Sequence, residues 1–217
     1  MLFLDRRQAG RKLADALRAR QERGLLPDPV VLALPRGGVP VAAEVARALD
    51  APLDVLVVRK IGAPFQEEFG VGAITGDDED AHFDQDALDR LGLSADALTP
   101  VVERERAELR RRERLYRHGR PAPDLRERTV IVVDDGLATG VTARAALRSA
   151  RRRDPRRVLL AVPVGARETV DLLRAEADDV ICLHQPADFM AVGLWYDDFE
   201  QLSDADVLRA LQTAAER

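Results

Sequence analysis

Five short runs of this chain are apolar at every position or nearly so. They are Val30–Leu34, Leu53–Val58, Thr129–Val133, Val158–Val162 and Val180–Leu183. A strand with one wet face alternates polar and apolar residues, and one that does not alternate is covered on both faces. Stretches with helical character separate these runs. Residues 5–23 place Ala9, Leu13 and Leu17 at helical spacing behind a capping Asp5 and stop at Gly24. Pro40 sits near the first turn of a helix running to Leu49, and further helices are expected over Val141–Arg152 and Glu168–Ala175. Strands and helices in alternation predict an α/β fold, a Rossmann-like open parallel sheet of about five strands with helices on both faces.

Composition sets the outer limits. A chain of 217 residues, 46% apolar and 33% charged, suits a single domain over 1–217 with its own core and excludes general disorder. A formal net charge of -5 argues against a protein built around non-specific nucleic-acid binding. The only cysteine, Cys182, leaves no internal disulfide and no cysteine-rich metal site. The N-terminal residues reach charge by Asp5, before a signal-peptide core could form, and no run approaches the ~20 apolar residues that span a bilayer. A soluble cytoplasmic protein with no membrane partner is expected. His82, His118 and His184 stand at unrelated spacings and are assigned neither metal nor proton-transfer roles.

Residues 61–128 interrupt the alternation as an insertion. Gln66 to Asp86 holds eight acids and no basic residue, and reads as a flexible, solvated loop. A charged helix follows, with Thr99 as N-cap and Pro100 at its first position. From Glu103 to Arg128 it carries ten arginines against six acids. A solvated face with i,i+4 ion pairs and an arm bringing positive charge to a phosphate-rich substrate are both open readings. Only Lys12 and Lys60 are lysines, so each draws notice among 31 arginines.

In a right-handed parallel sheet the strand C-termini share one edge, where ligands of open α/β sheets bind. That edge is expected to hold Arg36-Gly37-Gly38, Arg59-Lys60 at the end of the second strand, and Asp134-Asp135. The last pair opens the most informative segment, Asp134-Asp135-Gly136-Leu137-Ala138-Thr139-Gly140-Val141-Thr142, between a buried strand and a helix. Backbone N–H groups of such a turn, with the helix dipole behind them, make an anion cradle, and two threonine hydroxyls add donors. Adjacent carboxylates would repel the same anion; they suit vicinal hydroxyls or Mg²⁺. A phosphate cradle beside a diol clamp is suited to a sugar phosphate. The segment lacks the Gly-Lys-Ser/Thr of a nucleotide P-loop, and its glycine spacing is not that of dinucleotide-binding folds.

The stretch from Val132 through Thr142 resembles the signature loop of type I phosphoribosyltransferases, which binds phosphoribosyl pyrophosphate (PRPP). The order of the remaining segments is similar too, and is most like bacterial members whose acceptor is unassigned. The resemblance implies that Asp134 and Asp135 hold the ribose hydroxyls and, through the substrate, Mg²⁺. It implies that Gly136, Leu137, Ala138, Thr139, Gly140, Val141 and Thr142 surround the 5′-phosphate. Arg36, Gly37 and Gly38 match the family's pyrophosphate loop, with Pro35–Arg36 a candidate cis peptide, and Arg59 and Lys60 are expected to assist. A small hood over 184–217 would face the acceptor, where Val192, Trp195, Tyr196, Asp197 and Asp198 loosely match a base-stacking segment. Enzymes acting on 6-oxopurines carry an acid where this chain has Ala138, which removes a proton donor to the base.

The expected function is Mg²⁺-dependent transfer of ribosyl 5-phosphate from PRPP to a small-molecule nitrogen nucleophile, a nucleobase being the expected class, with release of pyrophosphate. The alternative is a non-catalytic regulatory module that senses PRPP or nucleotides and binds RNA or DNA. Homodimerisation is common for the fold and is an expectation of the resemblance.

Overall fold

The computed structural model describes residues 2–76 and 81–215. Its main sheet has five strands, all parallel to their neighbours, in the order β2-β1-β6-β7-β8. These are β1 (Pro29–Ala33), β2 (Leu53–Val55), β6 (Thr129–Val133), β7 (Arg157–Val164) and β8 (Asp179–His184). Successive residues of a strand point to opposite faces. Here Val31, Ala33, Ile131 and Val133 enter one core, while Val30, Leu32, Val130 and Val132 enter the other. The first core contains side chains of α1 (Arg6–Glu22), α2 (Gly38–Leu49) and α7 (Asp204–Ala215). The second contains those of α5 (Val141–Arg151) and α6 (Arg167–Leu173). Two covered faces are why these strands read as unbroken apolar runs.

The chain runs from β1 outward to β2 on one side, and from β6 through β7 to β8 on the other. The order therefore reverses between β1 and β6, and a crevice opens beyond their C-terminal ends. The register pairs Ala33 with Val133, and Leu34 N–H still bonds the Val133 carbonyl at 2.9 Å, so the Arg36 and Asp134 loops leave adjacent strand ends.

Three expectations are corrected. The second apolar run does not form one strand. Its ladder ends at Val55, and Leu56 and Val57 stay buried as the chain turns into β3 (Val58–Ala63). An apolar run reports burial, not where pairing stops. Arg59 and Lys60 thus belong to β3 and do not end a strand of the parallel sheet. Second, the acidic stretch is not all loop: β4 (Gln66–Thr75) and β5 (His82–Phe83) lie within it and form an antiparallel three-stranded sheet with β3. The side chains of Glu67 and Glu68, and residues 77–80, lie outside the described residues. Third, the charged helix α4 (Thr99–Arg117) starts one residue earlier than expected, continuing a 3₁₀ turn at Asp96–Leu98 rather than being capped by Thr99. The insertion also holds the short α3 (Gln85–Leu91), capped by Asp84. Among the described residues no helix is long and apolar enough to cross a membrane.

Candidate active site

β6 delivers Asp134 and Asp135 into the crevice. The Asp135 N–H donates to Asp134 Oδ1 at 2.9 Å, so the two carboxylates turn about one short bend. Burial pushes the Asp134 carboxyl well above the usual carboxylate range, and the neighbouring Asp135 charge pushes it further. Burial also raises Asp135, against the opposing pull of Arg6.

Across the crevice, the Pro35–Arg36 peptide is cis. The loop it belongs to comes so close to β6 that a Cβ on Gly37 would lie 2.0 Å from Asp135 Oδ2. Only glycine permits that approach, which explains one residue of the Arg-Gly-Gly sequence in steric terms. The half-buried Arg36 guanidinium has no hydrogen-bonding or ion-pair partner among the described residues. A cleft of about 450 Å³ opens here, lined by Arg6, Arg36, Gly37, Asp135, Phe199 and Gln201.

Beyond Asp135 the loop is tied down at its middle. Leu137 is buried, donates its N–H to the Val164 carbonyl at 2.9 Å, and accepts from the Ala166 N–H at 2.9 Å. Its amide is therefore committed to the fold. Thr169 Oγ1 donates to the Ala138 carbonyl at 2.6 Å. Gly140, at φ +75°, turns the chain into α5. Among the described residues the N–H groups of Ala138, Thr139, Gly140, Val141 and Thr142 meet no acceptor. Those amides, exposed Thr139 and Thr142, and the positive end of α5 lie in one turn and present hydrogen-bond donors and positive potential to solvent.

The remaining expected residues are distributed differently. Arg59 turns toward α4, where Nε lies 2.8 Å from Oε2 of the buried Glu105. Lys60 lays its aliphatic stem against Gly70, where a Cβ would meet it at 3.0 Å and Val141 at 3.9 Å. In the hood, Val192 packs directly over Gly136. Tyr196 is 2% exposed, which leaves no open ring face for stacking. Its ring lies between Phe3 and Phe199, at centroid distances of 5.4 and 5.0 Å, and its O–H donates to the Asp135 carbonyl at 2.5 Å. Trp195 is half-buried, and its carbonyl accepts the N–H groups of Leu2 and Phe3 at 3.1 Å each. Asp197 and Asp198 point into solvent while their N–H groups bond the Phe3 and Leu4 carbonyls.

Sequence reasoning missed the N-terminal partner of this hood. Phe3 and Arg6 both contribute to it, and Arg6 Nε lies 2.8 Å from Asp135 Oδ2. No local signal marks either residue. The tail helix α7 was also missed, although Ser203 and Asp206 bond each other's backbone N–H at its start, a capping box legible as Ser-x-x-Asp before an apolar run.

A phosphoribosyl transferase domain model matches residues 4–198. Two curated proteins from strains of Mycobacterium tuberculosis, each with a provisional phosphoribosyl transferase name, are 46% identical over 213 residues, 98% of this chain. The chain spans about half of their length, 47%. The crystal structure of TT1426 from Thermus thermophilus shares 44% identity, with 98% of this chain and 99% of that one covered and a TM-score of 0.83. A Neisseria gonorrhoeae protein crystallised with ppGpp, at 14% identity and TM-score 0.51, covers 100% of this chain and 97% of its own and shares the fold alone. With the family model spanning both loops of the crevice, this chain belongs to the phosphoribosyl transferase domain family.

Proposed function

We propose that the chain transfers ribosyl 5-phosphate from PRPP to a nitrogen nucleophile and releases pyrophosphate. The observation that carries this is one juxtaposition at the sheet's reversal point. Among the described residues, an aspartate pair stands between a turn of unpartnered amides and an Arg36 guanidinium with no ion-pair partner. A sugar with phosphate at one end and diphosphate at the other matches that order of charges. The anomeric C–O bond breaks with its electron pair leaving on pyrophosphate. The nitrogen lone pair forms the new C–N bond, and the nitrogen's proton passes to solvent.

The residues divide this work by charge. Asp134 and Asp135 hold the ribose hydroxyls and place negative charge near a ring that becomes cationic. Arg36 meets the charge that builds on the leaving group, Lys60 standing by near α5. The loop amides hold the 5′-phosphate and fix the ring relative to both. Among the described residues no three acids, histidines or cysteines cluster as a metal site. The donor set still suits Mg²⁺, since the carboxylates of Asp134 and Asp135 offer hard oxygen ligands that donor oxygens would complete. When bound, that ion would neutralise the diphosphate.

The acceptor side is bounded by Val192 and Trp195, because Tyr196 is enclosed. Ala138 supports an acceptor other than a 6-oxopurine. The nucleic-acid alternative finds less support, since several arginines of α4 are engaged within the molecule. Arg111 and Arg112 hold Glu108, and Arg117 holds Asp54.

The test is calorimetric titration with PRPP, with and without Mg²⁺, on wild type and on Asp134→Asn/Asp135→Asn. Mg²⁺-dependent binding that the double variant loses is expected. Asp135→Asn alone should lower turnover at least tenfold, about 1.4 kcal/mol. A wild type that does not bind PRPP would end the proposal.

A further inference from the structure

Arg6 stands in the first turn of α1, far in sequence from both loops, yet it touches the centre of the site. Nε donates to Asp135 Oδ2 at 2.8 Å, and Nη1 donates to the Glu200 carbonyl at 3.0 Å. The guanidinium lies over the Phe199 ring, 3.8 Å from its centroid. Its side chain is only 11% exposed. A planar fork held by a ring face, a backbone carbonyl and a carboxylate has essentially one orientation.

Asp135 is confined just as closely from its own side. One oxygen sits against Gly37 and receives Arg6, while the backbone carbonyl receives the Tyr196 hydroxyl at 2.5 Å. The Asp134 carboxyl lies beside that of Asp135, so the two acids face a ligand as a pair. Without Arg6 two adjacent acids would repel, and Asp135 would be free to change rotamer. Each binding event would then have to re-order it.

We propose that Arg6 is a positioning residue for the donor site, fixing the Asp135 carboxylate to receive the sugar hydroxyl, and that the C-terminal tail fixes Arg6 in turn through Phe199 and Glu200. This rests on the transfer reading above. It makes the donor site a composite of both chain ends and the central strand. A merely structural link between α1 and the tail would have no particular dependence on the Asp135 side chain.

The experiment is a double-mutant cycle read by PRPP binding with saturating Mg²⁺, with thermal unfolding as a check on folding. Arg6→Met should weaken binding about tenfold in the wild-type background and less than about twofold when Asp135→Asn is already present. Arg6→Lys, which keeps the charge and loses the fork, should remain about threefold weak. Phe199→Leu should cost about two- to threefold alone and nothing further in the Arg6→Met background, which keeps the test readable if Asp135→Asn binds too weakly. Equal losses for Arg6→Met in both Asp135 backgrounds, or full affinity without Arg6, would overturn the positioning role and leave the transfer reading intact. Failure of the wild type to bind PRPP would overturn both.

Discussion

All five residues of β6 are buried, whereas β3 buries only Ile61 and Ala63 of its six. The parallel sheet is held by apolar side chains on two faces. The antiparallel sheet shares that core through Ile61, Val71 and Ile74 and adds charge to it: Arg59 reaches Glu105 in α4, and Arg117 at the end of α4 ties that helix to Asp54 in β2, with N–O distances of 2.8 and 3.0 Å. Thr75 Oγ1 and Ser149 Oγ, 3.1 Å apart, add a buried polar contact between β4 and α5. The crevice depends on the first kind of cohesion, since both of its loops leave strands of the parallel sheet. The insertion can therefore vary in charge pairing without disturbing Asp134 and Arg36.

The largest effect should come from the apolar side. Ile131 is 0% exposed in the middle of the sheet. Ile131→Ala removes methylenes and leaves a cavity, so it is expected to cost about 2–5 kcal/mol in urea denaturation. Glu105→Gln tests the other cohesion. It leaves the Arg59 guanidinium, 27% exposed, without its carboxylate. About 1–2 kcal/mol is expected, because a partly wet cation recovers some hydration. The loss should shrink in about 0.5 M salt, unlike that of Ile131→Ala. Equal costs, or equal salt responses, would break the distinction between the two sheets.

The same contrast explains what the sequence disclosed. β1, β6, β7 and β8 are apolar on both faces, so burial alone marked them, and a strand ending in two aspartates before a glycine turn can be read without neighbours. The insertion follows rules that involve partners. β4 carries Gly70 and Gly72, poor strand formers, and a Cβ on Gly72 would lie 2.5 Å from the His82 carbonyl oxygen. A strand that needs glycine to admit its neighbour looks like a loop until the neighbour is known. The acids around it strengthened that reading. Arg6 was illegible for a related reason: its partner is 129 residues away, and arginine is everywhere in this chain. The Tyr196 ring was legible as an aromatic at the site but not as an enclosed one, because Phe3 comes from the other end of the chain.

The smallest effect concerns pH, where the two regions should differ in sign. Glu108 in α4 accepts from Arg111 Nε and Arg112 Nε, each at 2.7 Å. The hydrogen bond from Arg111 is the main cause that holds its carboxyl down, from 4.5 to about 2. A carboxyl lowered in the folded state stabilises the fold above its unfolded value, and that contribution fades as pH falls from about 4.5 toward about 2. Because Glu108 is partly exposed and its pairs are screened, Glu108→Gln should cost no more than about 1 kcal/mol at pH 7. The difference from wild type should narrow below about pH 4.5 in urea titrations. Asp134 is the matched opposite: burial raises it, so its ionisation opposes folding and protonation relieves that cost. Asp134→Asn should therefore leave stability at pH 7 unchanged or higher while weakening the donor site, the pattern expected where a carboxylate is kept for binding against the preference of its surroundings. If Asp134→Asn destabilised the protein as Glu108→Gln does, the Asp134 carboxylate would serve the fold like that of Glu108, and the two regions would no longer be different in kind.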